Sequence, residues 1–64
     1  MNFETKLIAT LGKAEIYVRI YENGNYRYDV KIDGEIVSNL RVDMSEAIQV
    51  ACEKQGLIEW VEGL

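Results

Sequence analysis

Four segments of two-residue hydrophobic alternation, glycine-marked turns between them, and one closing segment of three- and four-residue periodicity predict an α+β fold. The expected architecture is an antiparallel four-stranded β-meander with one C-terminal α-helix packed on one face. The turns are Gly12-Lys13, Asn23-Gly24-Asn25 and Asp33-Gly34. Asn-Gly and Asp-Gly are strong hairpin signals because these residues tolerate the positive φ of a tight turn.

In the first segment Phe3, Thr5, Leu7, Ala9 and Leu11 share a face. In the second, Ala14, Ile16, Val18 and Ile20 do so. A two-residue loop at Gly12-Lys13 pairs Leu11 with Ala14, Ala9 with Ile16 and Leu7 with Val18, all apolar, so loop length and pattern agree. The third segment aligns Tyr26, Tyr28, Val30 and Ile32. A two-residue Asn23-Gly24 loop would set Ile20 against Arg27, placing charge on the apolar face; three residues return Ile20 to the face of Tyr26 and Tyr28. The same reasoning predicts a three-residue loop at Asp33-Gly34, followed by a fourth strand with Ile36, Ser38, Leu40 and Val42 inward.

The apolar face needs a cover, and residues 44–55 supply it. Asp43 followed by Glu46 reads as a capping box, with Asp43 as N-cap and Glu46 reaching back. Met44, Ala47, Ile48, Ala51 and Cys52 share one helical face, and Gly56 suits the C′ position. Leu57, Trp60, Val61 and Leu64 suit a short helical turn, with a fifth edge strand as the alternative. The expected core is Leu7, Leu11, Ile16, Val18, Ile20, Tyr28, Val30, Ile32, Leu40, Val42, Ile48 and Ala51, with Trp60 sealing an edge.

The chain has 64 residues and reads as one self-standing domain, without proline, repeat or linker. A domain this small buries only about 60% of the surface its unfolded chain exposes. It needs a well-packed core or a partner subunit, because its single cysteine excludes an internal disulfide. A zinc site lacks ligands, since there is no histidine and no second cysteine. No apolar run reaches membrane-spanning length and no secretory signal opens the chain, so a cytoplasmic location is expected. The net charge of −4 argues against a simple electrostatic nucleic-acid binder.

Few residues suit catalysis, and no enzyme and no cofactor is expected. Without histidine there is no ordinary neutral-pH proton shuttle, and Cys52 has none to activate it. The glycines stand in hairpins, not in a phosphate loop. Asp29, Asp33 and Glu35 cluster at one hairpin without the spacing of a calcium loop. Glu59 and Glu62 read as solvated charge.

The outer sheet face is the best candidate for a partner. Strict alternation places there Glu4, Lys6, Ile8 and Thr10; Glu15, Tyr17, Arg19 and Tyr21; Arg27, Asp29 and Lys31; and Val37, Asn39 and Arg41. Five of the seven basic residues would lie on it, while acidic residues gather on the helix and tail. The candidate binding residues are Tyr17, Arg19, Tyr21, Arg27, Lys31 and Arg41. Three readings compete: a solvated sheet with cross-strand pairs, a protein interface with another protein or a second copy as homodimer, and a nucleic-acid surface with tyrosines stacking on bases.

The run Asn25-Tyr26-Arg27-Tyr28-Asp29-Val30-Lys31-Ile32-Asp33-Gly34-Glu35, with Ser45-Glu46-Ala47 after the next strand, resembles the AP2-like N-terminal domain of phage and transposon integrases. The resemblance covers roughly residues 16–55. It implies a three-stranded sheet on one C-terminal helix, contacting DNA through its open face. It would make Arg19, Arg27, Lys31 and Arg41 the DNA-contacting positions. The expectation that composition and pattern favour is a small non-enzymatic protein-interaction or regulatory module that self-associates; an acidic chain of this size would also suit a phage- or mobile-element-encoded protein, though no residue demands it. The alternative is a nucleic-acid-binding domain using the open sheet face.

Overall fold

The computed structural model describes residues 2–56. The fold is α+β. Strands β1 (Phe3–Leu11), β2 (Ala14–Tyr21), β3 (Tyr26–Ile32) and β4 (Glu35–Arg41) form one antiparallel sheet in sequence order, and helix α1 (Met44–Lys54) packs on one face. No helix among the described residues is long and apolar enough to cross a membrane. The expected turn and Trp60 seal at residues 57–64 lie outside the described residues.

Two hairpins follow the expected loop lengths. Leu11 pairs with Ala14 and Ala9 with Ile16 across Gly12-Lys13. Gly12 takes φ +61, as the first central residue of a II′ turn requires. At the second turn Tyr21 N–H donates to Asn25 O at 2.8 Å and Ile20 pairs with Tyr26, enclosing the three residues Glu22, Asn23 and Gly24. The third turn differs from expectation. Ile32 pairs with Glu35, so the loop is Asp33-Gly34 alone, both at positive φ (53° and 83°). That is the I′ geometry, whose twist matches the strands it joins.

The register breaks twice, and each break moves side chains between faces. In β1 a bulge falls between Leu7 and Ala9, so Leu7 pairs with Tyr17 and not with Val18. One extra residue inverts the alternation of everything before it. Phe3, Thr5 and Leu7 therefore lie on the outer face, and Glu4 and Lys6 on the helix side, opposite Ile20 and Val18. Leu7, expected in the core, is 51% exposed. In β4 the pairing runs Lys31–Ile36, Val30–Ser38 and Tyr28–Arg41, with irregularities between. Ser38 is inward and buried, while Ile36 and Leu40 stand on the open side, exposed. Val42 follows the strand and is 66% exposed.

The core is smaller than the apolar pattern suggested. Ala14, Ile16, Val30, Ala47 and Ala51 form it, with Ala9, Leu11, Tyr28, Ile32, Met44 and Val50 packed around. Two alanines at the contact bring the helix close to the sheet. The helix is rotated from the expected setting: Val50 packs against the core, Ile48 is exposed and Cys52 half-buried. Eleven residues of helix span about 16 Å, against about 26 Å for the eight residues of β2. Ile20 and Tyr26, beyond its reach, stay exposed.

Side chains fix the helix at both ends. Asp43 caps it, accepting from Ser45 N–H at 3.1 Å and Ser45 Oγ at 3.0 Å. Glu46 does not close the expected capping box; it accepts from Arg41 Nη1 at 2.9 Å. At the other end Gln55 clamps the first hairpin. Its amide donates to Leu11 O at 2.6 Å and its Oε1 accepts from Lys13 N–H at 2.9 Å. A Cβ on Gly12 would stand 2.6 Å from that Oε1, so the turn favours glycine and any larger residue would have to displace the Gln55 amide.

Candidate interaction face

The sheet face opposite the helix is set by β2, whose regular alternation places Glu15, Tyr17, Arg19 and Tyr21 outward. Arg27, Asp29 and Lys31 join them from β3, opposite Arg19, Tyr17 and Glu15. Five of the six expected site residues thus share one surface: Tyr17, Arg19, Tyr21, Arg27 and Lys31. Arg41 does not. The β4 irregularity sets it opposite Tyr28 on the helix side, where Nε donates to Ser38 Oγ at 2.6 Å and Nη1 bonds Glu46. Lys6 leaves the face through the β1 bulge. The expected five-cation surface therefore has three cations.

Each of the three has a contact within the molecule, and Arg19 is the one paired with a carboxylate among the described residues. Asp29 is only 4% exposed although it belongs to the open face. Its Oδ2 accepts from Arg19 Nε at 2.6 Å and its Oδ1 accepts from Leu40 N–H at 3.1 Å. The carboxylate thus joins β2 to the kink of β4, where Leu40 takes φ +56. The bond to Asp29, and after it one to Tyr21, pushes the Arg19 guanidinium further above its ordinary pKa, against the opposing effect of desolvation. Arg19 also lies over the Phe3 ring, 5.2 Å from its centroid, and Phe3 packs against Tyr21 at 5.3 Å. Lys31 covers Tyr17 at 4.8 Å. The Tyr17 hydroxyl donates to Glu15 Oε1 at 3.1 Å, and this bond, then desolvation and the Glu15 charge, raises its pKa above 10.0. Arg27 donates from Nη1 to Tyr26 O at 2.7 Å.

The residues missed by alternation are apolar. Phe3, Leu7, Ile36 and Leu40 bring exposed carbon to this side. Leu40 borders a surface depression with Tyr21, Asn23, Asn25 and Arg27. One signal for β1 was present: Leu7-Ile8-Ala9 is an unbroken apolar triplet inside an alternating strand, as a bulge writes it. Nothing comparable marks β4. Among the described residues no group of His, Cys, Asp and Glu is arranged to hold a metal ion. No protein-family model, no curated protein and no solved structure matches the chain.

Proposed function

We propose that the chain is a non-enzymatic protein-interaction module whose open sheet face receives another polypeptide. One observation carries this reading: beside three cations, of which Arg19 is paired with Asp29, that face exposes a group of aromatic and aliphatic side chains. Arg19 is held by Asp29 and Lys31 lies on Tyr17, while Phe3, Leu7, Ile36 and Leu40 are exposed. A phosphate ligand would have to share the Arg19 guanidinium with the Asp29 carboxylate, which already holds its Nε at 2.6 Å. A protein surface meets carbon and tyrosine without breaking anything, and tyrosine and arginine are enriched among the residues that dominate binding energy at interfaces. The placement of Lys6 and Arg41 off the face, and the net charge of −4, weigh against the nucleic-acid alternative and with it the integrase-like role.

A photoreactive amino acid at Leu40, activated in cells that make the protein, tests this. The expected product is a protease-sensitive, nuclease-resistant adduct that Tyr21→Asp abolishes. A nuclease-sensitive adduct weakened by Arg27→Glu overturns the reading in favour of nucleic acid.

A further inference from the structure

The edge of the sheet carries a different inference, made through backbone groups that the proposed function does not use, although Phe3 and Leu7 lie beside both surfaces. Strand β1 is the sheet margin and its outward edge is unpaired among the described residues. We propose that residues 3–7 of β1 pair antiparallel with the same residues of a second copy, about a two-fold axis at Thr5, joining two four-stranded sheets into one.

Backbone parity comes first. Tyr21 N–H donates to Asn25 O, so Tyr21 turns its backbone groups toward β3, and by the two-residue period Arg19 and Tyr17 do the same. Ile20 and Val18 then turn theirs toward β1, where they meet Glu4 and Lys6. Phe3, Thr5 and Leu7, opposite Tyr21, Arg19 and Tyr17, are left with N–H and C=O directed at the open edge. The regular stretch ends at the bulge after Leu7. Its midpoint is Thr5, and an antiparallel partner centred there makes Thr5–Thr5 and two Phe3–Leu7 pairs, all hydrogen-bonding pairs, about six backbone bonds in total.

Side chains agree with the same axis. Between the bonded pairs, Glu4 of each copy falls opposite Lys6 of the other, twice. An edge lysine ordinarily blocks edge-to-edge pairing. Here it is matched by a carboxylate two residues away, already 3.8 Å from it within one chain. On the other face Phe3 and Leu7, both exposed in the single chain, meet across the joint. Charge, apolar contact and hydrogen-bond parity all select Thr5 as the centre. The two-fold axis is perpendicular to the sheet, so both helices lie on one side and both open faces merge on the other.

Sedimentation over a concentration series tests the joint, with amide exchange as the residue-level readout. The native chain should dimerise with concentration. The amides of Phe3, Thr5 and Leu7 should gain protection as it does, while those of Glu4 and Lys6, already bonded to β2, should not. E4K and K6E should each weaken dimerisation roughly tenfold or more, and E4K/K6E together should restore it. Glu4 and Lys6 are exposed, so these variants keep the fold. T5P should abolish the dimer. A native chain that stays monomeric, a dimer that survives T5P, or a double swap that fails to restore it overturns the proposal. Arg27→Glu on the open face should leave the mass unchanged, which separates failure of this joint from failure of the face.

Discussion

Removing Asp29 is the sharpest stability test. Its side chain is 6% exposed and accepts from both Arg19 and the Leu40 amide. Hydrogen bonds to charged groups contribute about 1.5–3 kcal/mol each. Asp29→Ala removes two of them. The Arg19 side chain keeps 21% exposure and can partly rehydrate, and Leu40 lies on a sheet edge that water reaches. The expected loss is therefore about 2–4 kcal/mol, below the 3–5 of a fully buried pair. At about 0.05–0.15 kcal/mol per residue a chain of this length is stable by about 3–10 kcal/mol, so the variant should stand near unfolding. With a urea slope of about 1 kcal/mol per molar, the circular-dichroism midpoint should fall by roughly 2–4 M. Asp29→Asn keeps the shape and one acceptor and should lose about half as much. Arg19→Ala, made in both backgrounds, should reveal coupling of at least about 1 kcal/mol. A shift under about 0.5 kcal/mol, or additive effects, would mark a solvated surface pair and refute the central position given to Asp29.

Three further outcomes follow from named contacts. Gln55→Ala should cost about 1–2 kcal/mol in urea unfolding, since it releases both bonds to the first hairpin; Gly12→Ala should cost less in that background than alone, because the 2.6 Å clash is gone. Val30→Ala should lose about 1–3 kcal/mol by cavity and burial, whereas Leu7→Ala, a half-exposed site, should stay within about 0.5–1 kcal/mol; equal losses would undo the face assignment of β1. In ultraviolet titration the ionisation that Tyr17→Phe removes should lie above pH 10.0. A raised folded-state pKa means that the stabilisation from the Glu15 bond is complete below pH 10.0 and lost as pH rises through the folded value; a native chain whose stability advantage over Tyr17→Phe grows with alkalinity would contradict the bond.

How much of this was legible depends on where the alternation held. β2 and β3 alternate without interruption, so their faces and the Ile20–Tyr26 register followed from turn length alone. Asp43 and Gly56 were legible because capping is local chemistry. The two outer strands were not. A bulge leaves composition unchanged and inverts the parity of everything beyond it, so Phe3–Leu7 read as regular on either face. At Asp33-Gly34 the sequence permits two or three residues; the I′ turn prevailed, and the resulting mismatch was absorbed inside β4. The exchange of Glu46 from cap to Arg41 is a consequence of that shift, since only a helix-side Arg41 can reach it. Ile48 and Val50 are both apolar, and which one faces the sheet is decided by close packing of Ala47 and Ala51, a tertiary choice.

Leu40 shows why the β4 irregularity belongs to the interaction face as well as to the fold. A leucine at φ +56 carries about 1–2 kcal/mol of strain that glycine does not. In an ordinary strand alanine is better than glycine by about 0.5–1 kcal/mol. At Leu40 the order should invert: Leu40→Gly should be more stable than Leu40→Ala by about 1 kcal/mol, because both lose the side chain and only alanine keeps the strain. Relative to leucine, relief of strain and loss of a side chain that is 49% exposed should nearly cancel in the glycine variant. The stability difference between leucine and glycine is then small, yet the isobutyl group stands beside Tyr21 and Arg27 on the open face. Strained residues persist where surroundings fix them and a task uses them. Here Asp29 fixes the backbone through the Leu40 amide, and under the proposed function the task is contact with a partner. The glycine variant should therefore unfold at nearly the native midpoint while losing its photocrosslinked partner when the probe is moved to Tyr21. An alanine variant at least as stable as glycine would mean that the left-handed conformation costs nothing. A glycine variant that binds normally would mean that Leu40 is a by-product of the kink and no part of the site.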